Sequence, residues 1–184
     1  MAEARPWYRE PEAFIALAAL VVSLSAVTVG IYEAWLQRAH DRAEVWPHVE
    51  ISTFTNPQGA VVYLENTGLG PAIINSLVVA VDGKTRKDWS DVMQAMFGGP
   101  PPRFSRTTVD DHALRAGDKV QLIALAGKDL PPDFWDWIKR IRVQVCYESA
   151  FHEHWMLSEE MLEGPSVWRT AVSDCPKRQA GTEF

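Results

Sequence analysis

One stretch constrains this chain more than any other. Residues 13–32 are twenty consecutive side chains without a formal charge, bounded by Glu12 and Glu33. A helix of that length is roughly 30 Å long, about the thickness of a bilayer hydrocarbon core. The small hydroxyl residues within it, Ser23, Ser25 and Thr28, can each return a hydroxyl to a carbonyl one turn earlier, so lipid is tolerated on every side. Trp7 and Tyr8 precede the span and Tyr32 and Trp35 follow it, where amphipathic aromatics favour the headgroup zone. Phe14, Leu20, Val27, Tyr32 and Trp35 are therefore read as membrane-anchor residues. Gly30 and the neighbouring alanines leave room for a second helix, so a homo-oligomer stays open.

Two other readings compete for this segment. A buried soluble helix would be short of polar residues in the same way. A cleaved signal peptide predicts an apolar core of about 7–15 residues and then a small-x-small cleavage site; here residues 33–44 are strong helix formers instead. Val45-Trp46-Pro47 then closes the helix, because proline disfavours helical geometry in the residue before it. The expected organisation is a tail over 1–12, a transmembrane helix over 13–36, a helical stalk over 37–46, a domain over 47–160 and a second tail over 161–184.

The rest of the 184 residues narrows the class. No second window approaches the length of the first, which excludes a polytopic membrane protein. There are 24 acidic side chains against 18 basic ones and no basic block, so no nucleic-acid partner is expected. Two cysteines are too few for a disulfide scaffold. Orientation by charge is a tie: Arg5 and Arg9 precede the span, Arg38 and Arg42 follow it. A periplasm-like location would allow a Cys146–Cys175 disulfide that a cytosol would not.

Beyond Pro47 the hydrophobic period changes to alternation. Residues 49–54 and 59–66 read as strands of a hairpin about a turn at 56–59; further strands fall at 72–81, 119–125, 141–147 and 153–157. Six short strands without a βαβ rhythm predict a mainly β fold, an antiparallel Ig-like β-sandwich. Residues 87–97 and 131–139 read as two short inserted helices. The segment 98–112 reads as a functional or disordered loop, and the tail from Gly164 as weakly ordered at best.

Asn66-Thr67-Gly68-Leu69-Gly70-Pro71-Ala72 is a structural turn by its chemistry: glycines able to take positive φ, an asparagine able to bond nearby amides, a proline that fixes φ. A phosphate cradle would want a helix and a lysine after the glycines. The segment resembles the Asn-x-Gly-x-Gly-Pro-Ala turn of a widespread group of uncharacterised bacterial single-pass membrane proteins. Trp46-Pro47-His48, Ala116-Gly117-Asp118 and the stretch from Tyr147 to Trp155 resemble other parts of that pattern. The resemblance implies a bacterial inner (plasma) membrane protein with a helix, a stalk and a small β-sandwich domain, the domain on the cytoplasmic side.

His152 and His154 alternate on a possible strand, with Cys146 and Glu148 across the hairpin, which makes a metal site geometrically conceivable. If the turn falls at 149–152, the two histidines diverge. No metal, cofactor or catalytic residue is therefore assigned, and no nucleophile elbow, His-Glu-x-x-His or Cys-x-x-Cys occurs; an enzyme is not expected. Trp135 and Trp137 stand two positions apart on a short helix, so they cannot both face one core. With Phe134, beside Pro131-Pro132, they are candidate partner-binding residues. The expected function is a membrane-anchored protein-interaction module that recruits or stabilises a partner, or serves as accessory subunit of a membrane complex. The alternative is a small-ligand sensor signalling through the helix.

Overall fold

A computed structural model describes residues 11–160, 168–177 and 181–184. The chain divides into two units, one helical and ending at Ala43, the other running from Glu44 to Phe184. Trp7, Tyr8 and most of the N-terminal tail lie outside the described residues.

The helical unit is α1, Pro11–Glu44, continuous through both the apolar span and the stalk predicted from the sequence. Its apolar part is long and apolar enough to cross a membrane. Phe14, Leu20, Val27, Tyr32 and Trp35 are all more than half exposed, as an anchor helix requires in a chain seen without lipid. The hydroxyls of Ser23, Ser25 and Thr28 donate to the carbonyls of Ala19, Val21 and Leu24 at 2.7–2.9 Å, so none presents an unpaired polar atom.

The second unit is a sandwich of two antiparallel sheets. One is ordered β1-β2-β7-β5, with β1 at Val49–Asn56, β2 at Gly59–Asn66, β5 at Phe104–Arg106 and β7 at Lys119–Ala126. The other runs β10-β9-β8-β3-β4, with β3 at Ala72–Val81, β4 at Lys84–Thr85, β8 at Ile141–Glu148, β9 at His154–Glu160 and β10 at Trp168–Val172; β6, Ala113–Leu114, pairs with the start of β3. All six predicted strands are present. Alternation sets which face is buried: Val49 and Ile51 on β1, Val62 and Leu64 on β2, and Ile141, Val143, Val145 and Tyr147 on β8 enter one shared core.

Three parts of the sequence reading change. The 98–112 segment is not a free loop: it carries β5, which pairs with β7, and Val109, which is fully buried. The sandwich also does not stop at residue 160. β10 pairs with β9 along its whole length, Cys175 is bonded to Cys146 of β8 with 5.7 Å between Cα atoms, and Phe184 is fully buried. These residues fold as the closing part of the domain because each adds apolar or covalent contact to an existing edge.

The third change concerns the glycines at 68 and 70, which do not adopt positive φ. They are required by space. A Cβ on Gly70 would stand 1.7 Å from the Val45 carbonyl oxygen, and one on Gly68 2.3 Å from the His48 nitrogen. The turn therefore lies directly on the backbone of the domain entry. Asn66, fully buried, fastens it. Its Nδ2 donates to the carbonyls of Gly70, Leu114 and Arg115 at 2.8–3.2 Å, and its Oδ1 accepts from the amides of His48 and Gly68 at 3.1 Å. One side chain thus satisfies polar backbone groups from three separate segments.

Candidate functional site

The two inserted helices lie at the ends of β3 and β8 and cover one end of the sandwich. The first is α2, Trp89–Phe97, two residues shorter than the 87–97 read from the sequence, with Asp88 as its N-cap. The Asp88 carboxylate accepts from the amides of Ser90 and Asp91 at 2.6 and 2.9 Å, and Gly98 ends the helix in the left-handed region at φ 63°. Helical spacing puts Trp89, Val92, Met93 and Met96 on the buried face.

The second helix, α3, is a single turn and a half at Phe134–Ile138. Its aromatics divide as their two-residue spacing demands. Trp137 turns inward, its ring 4.5 Å from that of Phe97 in a T-shaped contact, and its Nε1 donates to Asp133 at 2.7 Å. Phe134 is partly buried against the core. Trp135 is 47% exposed, its ring 5.6 Å from that of Phe134. Of the three candidate partner-binding residues, Trp135 is the one presented to solvent; Phe134 lies against it, while Trp137 packs on Phe97.

Between α2 and α3 lies an apolar cavity of about 40 Å³, walled by Trp89, Met93, Met96, Phe97, Phe134 and Trp137 over the floor of β2, β7 and β8. Two of the wall side chains carry an indole N–H. That of Trp137 is taken by Asp133; that of Trp89 is buried without an acceptor. Behind Trp89 stands Phe184, their rings edge-on. The Phe184 carbonyl accepts from the amides of Val109 and Asp110, and the Glu183 amide donates to the Lys87 carbonyl. Sequence reasoning missed both the cavity and its backing. The only signal for either was an isolated phenylalanine in a polar tail, which has no period to mark it as core.

The conceivable metal ligands do not assemble as one. Cys146 is lost to the disulfide. His152 sits in the β8–β9 turn with φ 59°, as the turn placement at 149–152 implies. His154, on β9, has Nε2 2.9 Å from Glu148 Oε2, and His152 has Nδ1 3.5 Å from the same oxygen. The two rings share one carboxylate oxygen rather than surrounding an ion, and among the described residues no group of three or more His, Cys, Asp or Glu could hold a metal.

No family model matches the chain, and neither the curated proteins nor the solved structures contain a match to it.

Proposed function

We propose that this chain is a single-pass protein of the bacterial inner membrane whose β-sandwich serves as a protein-interaction module, docking a partner or the rest of a membrane complex on the helical cap. The observation that carries the reading is Trp135: a large amphipathic side chain half in solvent, its ring edge-on to that of the partly buried Phe134. Side chains of this kind, rigid and adjoining an apolar depression, are the usual anchors of protein interfaces.

The domain belongs on the outer side of the membrane in this reading. The support is the Cys146–Cys175 disulfide, since such bonds persist in oxidising compartments and are rare in the cytosol. This reverses the cytoplasmic expectation attached to the resemblance, which rests on basic residues after the helix; here only Arg38 and Arg42 stand there. The ligand-sensor alternative is weaker at the helical cap, because its enclosed cavity of about 40 Å³ is small beside the roughly 150 Å³ that accommodates one benzene; the larger depressions, of about 450 and 280 Å³, are open to solvent on the sandwich surface.

The test is a photo-crosslinking benzophenone side chain placed in the full-length membrane-embedded chain, at position 135 in one variant and at position 54 in another. Phe54 is also exposed, at 61%, but lies on β1. The expected result is an adduct of one size from 135 and none from 54. No adduct from 135, with a monodisperse chain whose melting point rises on adding a small metabolite, would replace the interaction reading with the sensor.

A further inference from the structure

The chain contains a single aspartyl-glycine bond, Asp82-Gly83, and no asparaginyl-glycine. It forms the turn between β3 and β4, closed by the pairing of Val81 with Lys84. Both residues take the left-handed region, Asp82 at φ 51° and Gly83 at φ 75°, as tight hairpin turns require. The two groups that could react with each other there are held very differently. The Gly83 amide has no side chain beside it, open space where a Cβ would stand and, among the described residues, no hydrogen-bond partner. The Asp82 carboxylate is gripped by Arg140, whose Nε donates to Oδ1 at 2.8 Å and whose Nη2 donates to Oδ2 at 2.5 Å. The Asp82 amide donates in turn to the Arg140 carbonyl at 3.1 Å, just after Lys139 caps the C-terminal end of α3. A forked pair of this kind fixes both oxygens and favours the charged carboxylate.

We propose that Asp82-Gly83 is a latent site of spontaneous aspartyl isomerisation and that Arg140 is the residue restraining it. The reaction starts from the protonated carboxyl. The Gly83 nitrogen attacks Cγ of Asp82, a C–N bond forms, and the carboxyl hydroxyl departs as water with the amide proton, leaving a five-membered cyclic imide. Water then adds to one of its two carbonyls. Opening at Cγ restores aspartate; opening at the backbone carbonyl breaks the original peptide bond and leaves isoaspartate, with no net change in mass. Glycine obstructs this attack least, since it has no Cβ. Arg140 opposes it by keeping the carboxylate ionised and holding both oxygens. Its hydrogen bond is the first cause that keeps Asp82 below the ordinary carboxylate range, and the charges of Arg140, Arg86 and Lys84 act in the same direction. The Asp82 side chain is 51% exposed, so water reaches the imide as soon as it forms. The isoaspartyl product carries an extra methylene in the backbone of a tight turn, and its carboxylate stands directly on Cα. The grip on Arg140 does not survive both changes, and the exit of α3 then loses its tie to the β3–β4 turn.

The experiment ages the full-length chain in detergent at neutral pH and physiological temperature for several weeks. Isoaspartate at residue 82 is read by electron-transfer fragmentation of the peptide that contains it. The unaltered chain, Arg140→Gln and Arg140→Lys are compared, with melting curves to show that each is folded, and the unaltered chain is also aged in guanidinium chloride. The folded unaltered chain should be slowest. Folded Arg140→Gln should be at least about threefold faster, because the rate follows the protonated fraction of the carboxyl, and the denatured chain faster again. Arg140→Lys keeps the charge but loses the fork; it should fall between the unaltered chain and Arg140→Gln, and it serves as the test where the glutamine variant does not fold. Adding Gly83→Ala to Arg140→Gln should bring the rate down to that of the unaltered chain or below, which assigns the signal to this bond. A rate no faster in folded Arg140→Gln than in the unaltered chain, or in Arg140→Lys where it takes that place, overturns the role of Arg140. Absence of isoaspartate at residue 82 from the denatured chain overturns the site itself.

Discussion

The ring of Phe184 meets the indole of Trp89 edge-on, with 5.4 Å between centroids and 88° between planes. Both side chains are essentially inaccessible. The contact fixes α2 from behind, so the cap over the sandwich depends on a residue far from it in sequence. Phe184→Ala should cost about 3–5 kcal/mol, the usual range for a buried phenylalanine, and lower the melting temperature by roughly 10 °C for a domain of this size. Thermal unfolding followed by near-ultraviolet circular dichroism of the detergent-solubilised chain checks this. A change under 2 °C would mean that the tail does not support the helix.

Asn66 supplies a second test, because its worth lies in the groups it satisfies. Asn66→Ala takes this partner from the carbonyls of Gly70 and Leu114 and from the amides of His48 and Gly68, while the Arg115 carbonyl keeps the Asp118 amide. At about 1–3 kcal/mol for each buried group left unpaired, the expected loss is at least 3 kcal/mol in urea denaturation. Asn66→Asp should do no better, since it removes the donors and points a charge at three carbonyl oxygens. Gly70→Ala should be as damaging through its clash with Val45, whereas Gly83→Ala, at φ 75° but in open space, should cost only about 1–2 kcal/mol.

The disulfide closes a 29-residue separation between β8 and the segment after β10. By loop entropy its removal should cost about 3–4 kcal/mol. The double variant Cys146→Ala, Cys175→Ala should show that loss without reductant, and the unaltered chain should approach it when reduced. Compartment can be read independently. In the double variant a new cysteine at Leu69, which is 74% exposed, should react with a membrane-impermeant maleimide in intact spheroplasts. Labelling only after lysis would put the domain in the cytoplasm.

Burial pushes the Tyr147 phenol above its ordinary value of 10, because taking it from water disfavours the phenolate. The folded chain then holds that proton more tightly than the unfolded chain. The corresponding stability is complete below pH of about 10 and is lost as pH rises through the raised folded value. Melting temperature should therefore fall more steeply between pH 9.5 and about 11 in the unaltered chain than in Tyr147→Phe. Parallel profiles for the two would contradict the shift.

Alternation made the six principal strands legible, since one face of each had to be buried, and length alone made α1 legible. The same rule could not find β4, β5 and β6, which are two or three residues long and held by their neighbours' hydrogen bonds rather than by any pattern of their own. The Asn66 turn was recognisable from its residue types, yet for the wrong backbone reason: its glycines answer to Val45 and His48, residues whose approach no local window contains. At the cap, the two-residue spacing of Trp135 and Trp137 was enough to require that they face apart. Which of them meets solvent depends on Phe97 and Asp133. Phe184 could not be placed at all, because its partners are Trp89 and the backbone of Val109.

The docking of residues 181–184 beneath α2 also sets an order of events in the cell. A chain made from its N-terminus delivers β1 to β9 first, but Cys146 has no partner until Cys175 follows, and Trp89 stays unbacked until Phe184 does. The domain can thus collapse early and still not be finished. Its helical cap, the surface proposed to meet a partner, is complete only once Phe184 has reached Trp89, so the last part of the domain to be finished is the part that faces outward from its end.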